Sequence, residues 1–113
     1  MIILDATTKS LEVKLAGAVT TTELPYVLGF VDLKSEDQSV FTVGGTDGTT
    51  NGGTAVSICA APIAGHTRHI RSLSVVNKDT VPAEVTIQLN DNGTKRAIVT
   101  LTLAVGDNLI GRE

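Results

Sequence analysis

The residues in this 113-residue chain that could do chemistry are two histidines, one cysteine and a scatter of carboxylates. His66 and His69 flank Thr67 and Arg68. On a strand, residues three apart point to opposite faces, which makes a poor chelate. No cysteine or carboxylate lies close enough in sequence to complete a metal site. The pair reads as polar residues at a loop-to-strand junction. Cys59 follows Ser57 by two positions, and neither belongs to a nucleophile elbow or a cysteine-protease signature. Cys59 reads as a small half-buried thiol. Residues 44–53, GGTDGTTNGG, carry Asp47 and Asn51 among five glycines. A phosphate-binding loop would need a lysine after its last glycine, and a calcium loop would need more acidic ligands and a closing Glu. The stretch is expected to be a flexible surface loop, or one that orders against a neighbour. The carboxylates Asp5, Glu12, Glu23, Asp32, Glu36, Asp37, Glu84, Asp91 and Asp107 are spread along the chain and name no acid–base pair. The sequence therefore points to no catalytic residue, no cofactor and no metal, and the expectation is a non-enzymatic protein.

The elements that would position these groups are β-strands. Ala83–Leu103 reads as a hairpin. Val85, Ile87 and Leu89 alternate with polar residues on one arm, and Ala97, Val99, Leu101 and Leu103 alternate on the other. Asn92-Gly93 between them is a strong hairpin signal. A two-residue loop would set the apolar face of one arm against the mixed face of the other. A three-residue loop, Asp91-Asn92-Gly93, avoids this. It pairs Asn90 with Thr94, Val85 with Val99, Ile87 with Ala97 and Ala83 with Leu101. Burial favours that second register.

Further strands are expected over 1–5, 11–15, 26–32, 40–43, 55–61 and 68–77, with a last short one at Leu109-Ile110. Pro25 marks a boundary. In the 68–77 strand, Leu73 and Val75 fall on one parity and Ile70 on the other, which predicts a bulge between them. No window shows a helical period. The reading is one all-β domain over residues 1–113, an antiparallel β-sandwich of seven to nine short strands, jelly-roll-like in its strand number.

Composition narrows the function. There is no Trp, one Tyr and two Phe, so platforms for stacking bases or sugars are scarce. The net charge is −3 and the lysines and arginines form no stripe, which argues against nucleic-acid binding. A lone cysteine excludes an internal disulfide and fits assembly in a reducing compartment. The opening MIILDATTKS has neither the basic start of a signal peptide nor the length of a membrane span, so no membrane role is expected. What stands out is apolar surface. Residues 1–4 and 26–31 are dry on both faces, which implies cover from another element or subunit. Residues 1–5 could serve as an N-terminal arm. The residues expected at an interface are Ile2, Ile3, Leu4, Tyr26, Leu28 and Phe30.

Two stretches, MIILDATTKSLEVKLAGAVTTTELPYV and LSVVNKDTVPAEVTIQLNDNGTKRAIVTLTLAVGDNL, resemble small virion structural proteins of tailed bacteriophages. Such proteins often continue past the final turn with a Gly-Trp-containing strand, which this sequence does not show. The resemblance implies assembly in the host cytoplasm into the virion. It implies a capsid decoration (cement) protein that binds the major capsid protein, with a homo-oligomer, a trimer first, as its form. A neck, tail or fibre-associated component is the alternative within that group. A carbohydrate-binding β-sandwich is the alternative outside it.

Overall fold

The computed structural model describes residues 2–112. Among them are nine strands and no helix. They are β1 (Ile2–Leu4), β2 (Lys9–Leu15), β3 (Pro25–Lys34), β4 (Phe41–Thr49), β5 (Val56–Cys59), β6 (His66–Val76), β7 (Ala83–Asp91), β8 (Thr94–Leu103) and β9 (Asn108–Arg112). All pairings are antiparallel. Sheet A has the order β1-β6-β3-β4, with β9 also on β6; sheet B has the order β5-β2-β7-β8. The two sheets share one core, as expected for a sandwich. Leu4, Tyr26, Leu28, Ile70, Leu73 and Val75 of sheet A pack with Leu11, Val13, Leu15, Val85, Ile87 and Leu103 of sheet B.

β1 and β9 lie on the same side of β6. β9 covers Ser72 to Val76 and β1 covers Arg68 to Ile70, so the two run head to tail along one edge. Residues 2–4 are thus a paired strand of the chain's own sheet; Met1, the first residue of the expected arm, lies outside the described residues. The expected bulge in β6 falls at Arg71, where Gly29 pairs with Ser72 but Phe30 pairs with Ile70. It brings Ile70, Leu73 and Val75 to the same buried face.

Two expectations are corrected. The β7–β8 turn is a two-residue turn, with Asp91 opposite Thr94. Asn92 (φ 51°) and Gly93 (φ 94°) both take the left-handed conformation, the turn whose twist matches the flanking strands. The parity conflict is real, and a bulge resolves it. Gln88 pairs with Ala97 and Ile87 with Val99, so Ile98 is the extra residue. Val85 then meets Leu101 and Ala83 meets Leu103, rather than Val99 and Leu101.

Residues 44–49 are strand, not loop. The glycines are explained by what crosses them. Phe30 pairs with Gly44, and Tyr26 with Gly48. A Cβ on Gly44 would stand 2.7 Å from Phe30 Cζ, and one on Gly48 would stand 2.9 Å from the Tyr26 hydroxyl. The aromatic rings of β3 lie over the bare backbone of β4, the pairing by which aromatics compensate glycine in sheet edges.

Candidate functional site

The chemistry-bearing residues do not converge. His66 and His69 sit on opposite faces of β6, paired with Lys34 and Val31 respectively. His66 Nδ1 is 3.3 Å from Ala64 O, and His69 Nε2 is 3.2 Å from Thr67 Oγ1. Among the described residues no three His, Cys, Asp or Glu side chains are grouped to hold a metal. Cys59 is buried rather than half-buried, and burial raises its pKa, against which the neighbouring Arg68 acts. Asn51 lies in the turn after β4, bonded to Thr54 N through its carbonyl.

Three carboxylates anchor structure. Asp32 accepts Arg68 Nε at 2.7 Å and Nη2 at 2.8 Å. Arg68 also donates to Ala60 O and stacks over the Phe30 ring at 4.1 Å, tying β6 to β3 and to the end of β5. The Arg68 hydrogen bonds hold the Asp32 carboxyl below the usual range. Glu12, on the outer face of sheet B, accepts from Gln88, Asn90 and Lys95 at 2.9, 3.0 and 2.7 Å. Burial pushes its pKa up, but these donors and the Lys95 charge outweigh it and the net shift is downward. Asp79 accepts from the backbone N–H groups of Thr20, Thr21, Thr22 and Thr80 and from the Thr21 hydroxyl. The Thr20 amide, then its neighbours, hold this carboxyl far below the usual range, although burial opposes them.

The outer faces of the two sheets differ in kind. On sheet B a shallow groove of ≈ 120 Å³ lies at the 15–19 end, and a wider polar one of ≈ 480 Å³ is lined by Lys14, Glu84, Thr86, Gln88, Lys95 and Thr100 among others. None of the three aromatic residues lines either. On sheet A the outward parity of β3 is Val27, Gly29, Val31 and Leu33, set beside Asp47, Gly45, Val43 and Phe41 of β4. Ile3 of β1 joins this face across His69. Ile3 is 48% exposed, Val27 59%, Phe41 62% and Val43 67%, and no described element covers them. Val40 and Ile63 are also exposed, near the β3–β4 hairpin end, where Ser35 N bonds Gly65 O. Leaving such groups in water forgoes roughly 25 cal/mol per Å² of burial.

The apolar strip expected from the sequence is thus present, on the opposite parity from most of the residues named for it. Leu4, Tyr26 and Leu28 are 0%, 7% and 1% exposed and face the core, and Ile2 and Phe30 pack against that core. Of the six, Ile3 is on the outer face. Phe41 and Val43, exposed on the same outer face, are not among the residues named from the sequence, which reads 40–43 as a short strand and 44–53 as a loop. The signal that could have found them is the spacing of glycines 44 and 48, which matches that of the aromatics 26 and 30. Comparisons with protein-family models, curated proteins and solved structures find no match to this chain.

Proposed function

We propose that the chain is a non-enzymatic virion structural protein of a tailed bacteriophage, a capsid decoration protein that docks on the major capsid protein and stiffens the shell. The observation that carries the reading is the exposed apolar surface on the outer face of sheet A, Ile3, Val27, Phe41 and Val43, set around the buried Val31. A stable contact with coat subunits needs about 1,000 Å² or more, and a sheet face of this kind offers a flat, rigid platform for it. The resemblance to phage virion proteins, most distinctive in residues 1–28 and 73–109, supplies the biological setting. The 113-residue domain, with its paired carboxylates committed to holding loops and strands, fits a mechanical role.

The test is copy number in purified particles, by quantitative mass spectrometry against the major coat protein. The expected result is hundreds of copies per particle. About six to twelve copies, the stoichiometry of a cyclic ring, would move the protein to the neck or tail. Absence from the particle would overturn the reading.

A further inference from the structure

Four strand edges bound the two sheets of the described residues. One side of sheet A is closed by β1 and β9, three and five residues long. In sheet B the edges are β5, four residues long, and β8, which carries Lys95 and Arg96 and is bulged at Ile98. Short length, charge and bulges are the devices that keep an edge from pairing with another chain. β4 is neither short nor bulged, and it carries little charge. It is nine residues long, pairs β3 without a register shift, holds no lysine, arginine or proline, and carries Asp47 as its one charge.

The direction of its backbone groups follows from the ladder. Lys34 N donates to Val40 O at one end, and Thr50 N donates to Leu24 O at the other. Alternation between these points turns the N–H and C=O groups of Phe41, Val43, Gly45, Asp47 and Thr49 away from β3, toward the open edge.

We infer that β4 pairs antiparallel with β4 of a second copy of this chain, about a two-fold axis at Gly45, joining two copies of sheet A into one continuous sheet. The strand is self-complementary about Gly45, and charge helps to select that register. With the axis at Gly45, Val43 faces Asp47 of the second copy and Phe41 faces its Thr49, so the two aspartates are kept apart. An axis at Asp47 would set like charges directly opposite, which is destabilising. The Gly45 register also uses all five outward-facing residues of each strand, about ten backbone hydrogen bonds. It brings Phe41 and Val43 of both copies onto one outer face. Such an interface is isologous and yields a dimer, not the trimer that the resemblance favours.

The experiment is sedimentation equilibrium of the isolated full chain across the micromolar range, with circular dichroism as the check on folding. Wild type is expected to be a dimer. Val43→Asp places two like-charge pairs against Asp47 of the other copy and should raise the dissociation constant about tenfold or more. Val43→Lys places opposite charges at the same two points and should leave the dimer as tight or tighter. Val43→Pro removes an N–H aimed at the open edge while sparing the β3 ladder, and should leave a monomer. Monomeric wild type, a trimer, or a dimer weakened equally by Asp and Lys would overturn the pairing. These outcomes are read on the isolated chain and are independent of copy number in particles, so the edge pairing and the virion role can fail separately.

Discussion

The amides around Asp79 bind its charged form, so this carboxylate takes up a proton in the unfolded chain at a higher pH than in the folded one. A depressed folded-state pKa contributes stability that is present above the ordinary carboxylate range, near pH 4, and is lost as pH falls toward the folded value. The Asp79→Asn variant should therefore be less stable than wild type at neutral pH, and the gap in urea midpoint should close as pH drops below about 4. A gap that stays constant with pH would show that the carboxylate charge is not what holds residues 20–22. Gly44 offers a second residue-scale test. Adding a methyl group there drives the Phe30 ring off its seat against Arg68, and Gly44→Ala should cost about 1–2 kcal/mol. Gly17, where a methyl group would meet nothing within 4 Å, is the control: Gly17→Ala should leave the melting temperature unchanged.

At the scale of the element, the β7–β8 hairpin shows two local preferences that conflict and a third feature that reconciles them. Asn92-Gly93 selects a two-residue turn, burial selects the other parity, and the extra residue at Ile98 satisfies both. Gly93→Val should cost about 1–2 kcal/mol from left-handed strain, read from the shift in thermal midpoint. The alternating residues of β2, β6 and β7 were legible because the core-facing side of each strand is apolar and period two is then written into the side chains. The β6 bulge was legible for the same reason, since Ile70 and Leu73 cannot share a face without it. The β8 bulge was not, because a slipped turn explains the same parity equally well. β4 was illegible because the rings of Tyr26 and Phe30 lie over its inner parity, which holds only Gly and Thr where a strand usually shows apolar residues. The outer strip was half legible: the sequence marks 26–31 as dry on both sides, but only the pairing of Leu28 with Leu73 and Tyr26 with Val75 decides which side faces water.

At the scale of the whole molecule, the core is shared, so neither sheet is stable without the other. Leu28, opposite Leu73 and fully buried, is contributed by sheet A but packs in the cluster that holds Leu11, Val13 and Ile87. Leu28→Ala should cost roughly 2–5 kcal/mol, and hydrogen exchange should report the loss in both sheets together. Protection lost in sheet A alone would mean that the sheets unfold separately.

The head-to-tail placement of β9 and β1 along β6 has a consequence in time. Ile2 stands opposite Ile70 and Arg112 opposite Ser72, so one edge of sheet A is built from the first and last described residues of the chain. During synthesis the stretch Ser72–Val76 is finished well before β9 exists, and its side away from β3 stays open until residues 108–112 emerge. Pairings this distant in sequence fold slowly, in milliseconds to seconds, and each refolding event passes through a period when β6 presents bare backbone. Crowded refolding should therefore lose more protein to aggregation than dilute refolding, and an early supply of the 108–112 segment as a separate peptide should reduce that loss.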